Sequence, residues 1–258
     1  MARLQADRLA RATRPFLARG GPSTSAGPRC AGCRLRPSHC LCAWRPRVAA
    51  QAGFCLLMAD AEPLKPSNTG WLVADVVADT AAFGWARTHT DPGLAALLAS
   101  PQWQPLLVFP QDYVAPQRVV HGVPPQPAGG TACPTRRPLF VLLDGTWSEA
   151  RKMARKTPLL DAVPVLHLSP GATGLPAAPY GLRRAQRSDQ FCTAAVAAQC
   201  LALAGELAAA HALQAWLAVF VHHQLQARHQ LPPDLDGAAH RGLRAATSLS
   251  PPPAAPPA

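Results

Sequence analysis

The stretch PLFVLLDGTWSEARKMARK, from Pro138 to Lys156, changes its chemical character in the middle. Residues 138–144 are apolar up to a final aspartate, which predicts a short buried β-strand. Residues 148–156 carry charges at helical spacing, which predicts a helix with a basic exposed side. A strand that passes directly into a helix is the repeating unit of an α/β fold.

Further apolar strands alternate with helical segments on both sides of this stretch. Strands are predicted at 54–58, 106–109 and 163–168, and helices at 71–80, at 91–100 and through 189–230 as two helices meeting near Gly205. Asp91 is the expected N-cap of its helix, with Pro92 in the first turn. The alternation predicts an α/β domain with a mainly parallel sheet and flanking helices. In such sheets ligands bind beyond the carboxyl ends of the strands, here the loops after Met58, Phe109, Asp144 and Leu168.

The two ends of the chain differ in composition from this central region. Residues 1–28 are rich in arginine and predict a flexible basic arm, and a cysteine cluster occupies 29–48. The α/β domain is expected over 49–230. The Pro/Ala-rich residues 231–258 are expected to be a disordered tail. No apolar run reaches the ~18 residues of a membrane span, and no secretory signal is recognised, so a cytoplasmic protein without a membrane partner is predicted.

The charge balance favours an anionic partner. Lys and Arg number 25 against 14 Asp and Glu, which gives a net charge of +11 and a sequence pI of about 10.0. Such an excess of positive charge indicates nucleic acid first and a membrane surface second. A compositional bias is the alternative, since lysine occurs only at 65, 152 and 156. That bias explains arginine in place of lysine, but it does not explain the shortage of acids.

The segment CAGCRLRPSHCLC, Cys30–Cys42, places four cysteines at the spacing C-x2-C-x6-C-x-C. Four thiolates so close together can complete a tetrahedral zinc site, and four protein ligands leave no open position, so the role would be structural. Free thiols or disulfides are the alternatives, but a cytosolic location favours metal. The arginines around the cluster form either a phosphate-binding surface or an ordinary solvated face; they are Arg34, Arg36, Arg45 and Arg47.

Three further segments carry side chains suited to chemistry. EPLKPSNTG (62–70) is predicted to be a turn. Its polar groups either offer hydrogen bonds to a ligand or only stabilise the turn and cap the next helix. DGTW (144–147) follows the best strand, and Asp144 is there either a general base or merely the cap of the next helix. YGLRRAQRSDQFCTAA begins at Tyr180 and supplies a stacking ring and several arginines.

These segments together resemble the DTW-domain family, which takes its name from the Asp-x-Thr-Trp motif, here Asp144–Trp147. The resemblance covers the cysteine cluster, KPSNTG (65–70), LLDGTWSEARKM (142–153), YGLRRA (180–185) and CTA (192–194), in this order. Several motifs in order are far more specific than one four-letter motif.

The resemblance implies a tRNA-uridine aminocarboxypropyltransferase with a SPOUT-like α/β fold. Such enzymes transfer the 3-amino-3-carboxypropyl group of S-adenosylmethionine to N3 of a tRNA uridine and release methylthioadenosine. The catalytic residues would be Asp144, Thr146 and Trp147. The donor would be bound by Glu62, Lys65, Asn68, Thr69, Gly70 and Tyr180. The RNA would be bound by Arg151, Lys152, Arg155, Arg183 and Arg184. The metal ligands would be Cys30, Cys33, Cys40 and Cys42, and no protein partner is predicted.

The chain departs from the pattern of similar proteins at two positions. Ala59 stands where a histidine is usual, three residues before Glu62, and Ala195 stands where an acid usually follows CTA. These departures favour one alternative to the transferase, a non-catalytic zinc-containing RNA-binding protein. A second alternative is a SAM-dependent RNA methyltransferase. Because Glu62, the NTG turn and DGTW are intact, we expect an active aminocarboxypropyltransferase.

Overall fold

A computed structural model describes residues 1–11, 29–125, 136–169, 171–175 and 191–247. The described residues form one sheet of six strands in the order β2-β1-β5-β3-β6-β4. Every neighbouring pair is parallel. The strands are β1 Gly53–Met58, β2 Thr80–Gly84, β3 Trp103–Val108, β4 Val119–Val120, β5 Arg137–Asp144 and β6 Val165–Leu166. The predicted α/β class with a mainly parallel sheet is therefore confirmed.

Helices cover both faces of the sheet. They are α1 Ala2–Arg11, α2 Gly70–Val76, α3 Pro92–Ala99, α4 Trp147–Lys156, α5 Thr193–Leu203, α6 Leu207–His229 and α7 Ala238–Thr247. One face lies under α2, α5 and α6, and the other lies under α3 and α4. Among the described helices, none is both long and apolar enough to cross a membrane.

Strand β5 lies at the centre of the sheet, between β1 and β3, and orients Asp144. Phe140 and Leu142 pack into the core layer of α2, α5 and α6, whereas Leu139 and Val141 pack into the layer of α3 and α4. Both faces are buried, which is why the strand is a continuous apolar run rather than an alternating one. Because side chains alternate along a strand, Asp144 continues the register of Phe140 and Leu142. Its carboxylate therefore points to the side of α2 and α5.

Several sequence predictions are confirmed in detail. The strands expected at 54–58, 106–109 and 138–144 are present as β1, β3 and β5. Asp91 caps α3, since its side chain accepts a hydrogen bond from the backbone N–H of Gly93 at 2.8 Å. The two helices in 189–230 do meet at Gly205, which adopts a φ of +79° that favours glycine.

The segment 71–80 differs from its prediction. The helix ends at Val76, and residues from Thr80 onward form edge strand β2, which pairs with β1 in the register Phe54–Thr80. A helical continuation would leave this edge of β1 without its ladder of hydrogen bonds. The strand expected at 163–168 is also shorter, because only Val165 and Leu166 pair with β3 and β4.

Helices also lie in both terminal segments that were expected to be irregular. Within 231–258, α7 buries His240 and Leu243, both 0% exposed. His240 packs edge-on against Trp44 at 4.5 Å, and its Nε2 lies 2.9 Å from Nε2 of His223. Burial lowers the pKa of both imidazoles, to about 4 for His223, so the pair is neutral near pH 7. The prediction of disorder therefore fails for 238–247, where two buried side chains anchor a helix. The domain boundaries themselves stay predictions.

Candidate active site and metal centre

A buried group of polar side chains lies beyond the carboxyl ends of β1 and β5. The Asn68 Nδ2 donates to Glu62 Oε2 at 3.0 Å and to Asp144 Oδ2 at 2.7 Å. The Thr193 hydroxyl donates to the other Asp144 oxygen, Oδ1, at 2.8 Å. Glu62, Asn68 and Asp144 are at most 4% exposed. We call these four residues, Glu62, Asn68, Asp144 and Thr193, the carboxyl cluster.

Short turns bring the carboxyl cluster together. The backbone N–H of Ala59 donates to the carbonyl oxygen of Asp144 at 2.8 Å, which joins the ends of β1 and β5. The chain then makes a 3-10 turn at Glu62–Leu64, and a second turn places Asn68 just before α2. Lys65 forms an ion pair with Glu62. Lys65 therefore places a cation beside this pair of buried carboxyl groups. Each carboxyl oxygen named here accepts a hydrogen bond, as buried acids require.

The turn Asn68–Thr69–Gly70 also contacts the start of α5. Thr69 Oγ1 accepts a hydrogen bond from the backbone N–H of Ala194 at 3.3 Å. Gly70 permits the close approach of Asp144, because a Cβ at this position would lie 2.6 Å from Asp144 Oδ2. A side chain at residue 70 would therefore push the carboxylate away from Asn68.

We expect Gly70→Ala to reduce activity strongly and to lower the melting temperature, because overpacking of this kind typically costs about 1–3 kcal/mol. Gly242→Ala is the matched control, since a Cβ on exposed Gly242 meets nothing within 4 Å. The control should keep full activity and gain roughly 0.5–1 kcal/mol from better helix propensity. Thermal melting and transfer assays measure both. Full activity and stability in Gly70→Ala would show that the close approach is not needed.

The cap of helix α4 is Thr146 and not Asp144. The Thr146 hydroxyl accepts from the backbone N–H of Glu149 at 3.3 Å, and Glu149 Oε2 accepts from the backbone N–H of Thr146 at 2.8 Å. This is a capping box. The interpretation of Asp144 as a simple helix cap is therefore wrong. Thr146 has a clear structural role, and its catalytic role stays a prediction.

Trp147 packs on the opposite face of the sheet from the Asp144 carboxylate. Its ring stacks on Phe109 with centroids 5.4 Å apart and an interplanar angle of 16°. Phe109 belongs to the core layer under α3 and α4. Asp144 and Trp147 are close in sequence, but their side chains belong to different layers.

The remaining predicted residues are either exposed on α4 or outside the described residues. Arg151, Lys152 and Arg155 are exposed on α4. Tyr180, Arg183 and Arg184 lie outside the described residues. The structure adds Thr193, which was not predicted as a site residue although CTA (192–194) belongs to the recognised motifs. Only the three-dimensional contact with Asp144 identifies its role.

The four predicted metal ligands are brought together. Their sulfur atoms all lie within 4.8 Å of one another. The Cys30–Cys42 and Cys30–Cys40 sulfurs are 3.6 Å apart, and the Cys33–Cys40 sulfurs are 3.8 Å apart. These distances exclude disulfides, whose bond length is about 2.05 Å. They match a tetrahedral metal with metal–sulfur bonds of about 2.3 Å, which separates the sulfurs by roughly 3.8 Å. The cysteines can therefore hold a metal ion.

Local backbone geometry supports this cysteine site. A Cβ at residue 32 would lie 2.7 Å from Cys42 Sγ, so Gly32 allows the sulfur to approach. A hydrogen bond from the backbone N–H of Cys33 lowers the pKa of the Cys30 thiol to about 6, whereas burial raises the pKa of the Cys33 and Cys42 thiols.

Two arginines of this region do not form an exposed phosphate-binding surface. Arg34 is 5% exposed, and its guanidinium lies 4.3 Å over the Trp71 ring. Arg45 forms an ion pair with Asp75 at 3.0 Å. Since Trp71 and Asp75 lie on α2, these arginines attach the cysteine segment to the core. Both alternatives from the sequence, a phosphate-binding face and a solvated face, are wrong for Arg34.

Comparison with known proteins agrees with this arrangement. A sequence model of the DTW domain matches residues 27–225, which include the four cysteines and the carboxyl cluster. No solved structure matches the chain. The match extends over well more than half of the chain, and the DTW family consists of tRNA-modifying transferases. The chain therefore belongs to the DTW-domain family, the tRNA-uridine aminocarboxypropyltransferase family.

Proposed function

We propose that this protein transfers the 3-amino-3-carboxypropyl group of S-adenosylmethionine to N3 of a uridine in tRNA and releases methylthioadenosine. The observation that carries the proposal is the carboxyl cluster. Residues from KPSNTG and DGTW, which are 76 positions apart at Asn68 and Asp144, meet there in direct hydrogen bonds. Family membership supports the tRNA as substrate.

The reaction needs a base and strict orientation of the donor. N3 of uridine must lose its proton before it attacks the γ-carbon of the methionine moiety. A bond then forms between N3 and that carbon, the carbon–sulfur bond breaks, and its electron pair converts the sulfonium to a neutral thioether. Asp144 accepts the N3 proton in this proposal. Asn68 and Thr193 hold its carboxylate in one orientation, and such positioning can contribute several kcal/mol to the rate.

The donor is proposed to bind along the turns that form the carboxyl cluster. The residues on these turns are Glu62, Lys65, Asn68, Thr69 and Gly70, and the resemblance to the family adds Tyr180. Direct attack on the methyl carbon would give a methyltransferase instead, so the placement of the γ-carbon toward N3 decides the product. Zinc is the proposed occupant of the cysteine site, with a structural role because the four thiolates leave no open position.

The two departures from the family pattern leave the carboxyl cluster complete. Ala59 is 3% exposed and packs in the layer of α3 and α4, so its side chain lies on the other face from the Asp144 carboxylate. Ala195 is 5% exposed and packs into the helical layer. Neither alanine removes a hydrogen bond among Glu62, Asn68 and Asp144. This observation favours the enzyme over a non-catalytic RNA-binding protein.

Isotope-labelled donors test the proposal directly. Unmodified tRNA is incubated with metal-loaded protein and S-adenosylmethionine labelled either in the methyl carbon or in the carboxypropyl carbons. We expect label in the tRNA only from the carboxypropyl carbons, together with released methylthioadenosine. Label from the methyl carbon would establish a methyltransferase. Binding of tRNA without either label would establish a non-catalytic RNA-binding protein.

The cationic surface of α4 is proposed to contact tRNA phosphates. Replacing Lys152 and Arg155 together by alanine should reduce the slope of log affinity against log salt by about 1.4–1.8, because each phosphate contact contributes about 0.7–0.9. Arg241→Ala, which removes an exposed arginine on α7, serves as the control and should leave the slope unchanged. Filter binding of tRNA over a salt series measures both. An unchanged slope in the α4 variant would place the RNA elsewhere.

A further inference from the structure

An aromatic group lies beyond the carboxyl end of β3, on the opposite face of the sheet from the carboxyl cluster. Trp147 stacks on Phe109, and the Tyr113 ring meets both of them edge-on, at 5.2 Å from Trp147 and 6.0 Å from Phe109. The guanidinium of Arg151 lies 4.9 Å over the Tyr113 ring. We call Phe109, Tyr113, Trp147 and Arg151 the aromatic rim.

The aromatic rim is buried at one end and exposed at the other. Phe109 is 5% exposed and belongs to the core, whereas Tyr113 is 40% exposed. Trp147 lies between them and is partly exposed. Tyr113 is therefore an exposed ring that two other rings and one cation hold in place. A ring fixed in this way loses little conformational entropy when a flat ligand binds to it.

The charge beside the aromatic rim indicates the kind of ligand. Helix α4, which carries Trp147 and Arg151, also exposes Lys152, Arg155 and Lys156. Its acid, Glu149, is engaged in the capping box. Aromatic rings interleaved with exposed cations are the combination that binds single-stranded RNA, in which bases stack on rings and phosphates contact the cations.

The position of the aromatic rim separates it from the reacting base. The Asp144 carboxylate faces α2 and α5, whereas the rim packs on the layer of α3 and α4. Both groups nevertheless lie beyond the carboxyl ends of adjacent strands, β3 and β5. One RNA loop can therefore contact both, but with different nucleotides.

We propose that Tyr113, Trp147 and Arg151 form a stacking site for an unpaired nucleobase that neighbours the target uridine in the RNA. This proposal rests on the proposed function, in which RNA is the substrate, and it names a second base-binding site on the same molecule. The site selects RNA whose bases are unpaired at that position, since a base inside a duplex cannot stack on a protein ring.

Binding of short RNAs by full-length protein tests the stacking site. The probes are an unpaired oligouridylate and a fully paired duplex of equal length, measured by fluorescence anisotropy without donor. Tyr113→Ala should weaken oligouridylate binding about 5- to 150-fold, the range that corresponds to loss of one base–aromatic stack. Binding of the duplex should not change. Tyr113→Phe, which keeps the ring, should bind both RNAs as the wild type does.

Two further variants control for loss of packing and for general loss of exposed apolar surface. Tyr113→Leu keeps apolar volume against Phe109 and Trp147 but removes the π face, so it should bind oligouridylate as weakly as Tyr113→Ala. Leu235→Ala removes another exposed apolar side chain, 43% exposed, and should bind normally. If Tyr113→Ala lowers the melting temperature and weakens oligouridylate binding while Tyr113→Leu binds oligouridylate normally, the loss of binding is a folding effect. That outcome would overturn the proposal.

The remaining outcomes also decide the question. Unchanged oligouridylate affinity in Tyr113→Ala, or an equal loss for oligouridylate and duplex, would overturn the stacking site. A selective loss of binding to anionic phospholipid vesicles, with RNA binding intact, would identify a membrane surface instead. Because these assays need no transfer reaction, a protein that fails to modify tRNA but shows the expected Tyr113 pattern would refute the proposed reaction and keep the stacking site.

Discussion

Asp144→Asn is expected to reduce aminocarboxypropyl transfer by about 10²- to 10⁴-fold, the typical contribution of a positioned general base. The substitution removes the group that is proposed to accept the N3 proton but keeps the shape of the side chain. The steady-state transfer rate to unmodified tRNA, at saturating donor, measures this effect.

The local hydrogen bonds explain why this variant should fold. The new carboxamide can accept from Asn68 Nδ2 with its oxygen and donate to the Thr193 hydroxyl with its nitrogen, so Asn68 and Thr193 each keep a partner. The melting temperature and the metal content should therefore stay near wild type. A loss of activity with unchanged folding separates a chemical role from a structural one.

Asp161→Asn is the matched control, because Asp161 is an exposed carboxylate that follows a short 3-10 turn. It should retain wild-type transfer. If Asp144→Asn transfers at the wild-type rate while it folds normally, Asp144 is not the base, and the carboxyl cluster serves only to hold the loops together.

The second large effect is expected for Cys33→Ser. Cys33 is 1% exposed, and it lies in the core cluster with its neighbours Leu35, Leu41 and Trp44. Loss of one ligand should reduce bound zinc from one ion per chain to nearly none, since a serine oxygen is a poor substitute for a thiolate. Binding free energy at structural zinc sites is folding free energy. A loss of about 3 kcal/mol would lower the melting temperature by roughly 6–12 °C in a chain of this size.

Cys55→Ala provides the control for Cys33→Ser. Cys55 is a fully buried free cysteine in β1 that packs in the layer of α3 and α4, whereas Cys33 packs in the core layer on the other face. Its removal should leave a small cavity and lower the melting temperature modestly, but the zinc content should stay at one ion per chain. Metal analysis of the purified proteins distinguishes the two variants. Full zinc occupancy in Cys33→Ser would contradict the assignment of the four cysteines as the ligand set.

The sequence predicts the central architecture well because its strands are buried on both faces. The runs at 54–58 and 138–144 are continuous, apolar and short, which is typical of parallel strands under helices. Residues 77–84 are less distinctive, and the choice between more helix and edge strand β2 depends on pairing with β1. Tertiary contacts of this kind override local propensity. Helix α7 is a similar case, because Pro and Ala dominate the composition while His240 and Leu243 determine the packing.

The candidate site is predictable only in part. Position at strand ends and the family motifs identify Glu62, Asn68 and Asp144, but both base and cap are possible for Asp144 from the residues alone. In the structure, Thr146 and not Asp144 caps helix α4. The direction of the Trp147 side chain depends on the face of the sheet on which it packs. The hydrogen bond from Thr193 to Asp144 joins residues 49 positions apart, and a local sequence pattern does not predict such a contact.

Mass spectrometry of tRNA nucleosides is the most direct test of the central claim that the carboxyl cluster is an aminocarboxypropyl transfer centre. Unmodified tRNA is incubated with S-adenosylmethionine and either wild-type or Asp144→Asn protein, both zinc-loaded, and is then digested to nucleosides. We predict a uridine carrying the aminocarboxypropyl group with the wild type, and almost none with the variant. The absence of that nucleoside in the wild-type reaction would contradict the account.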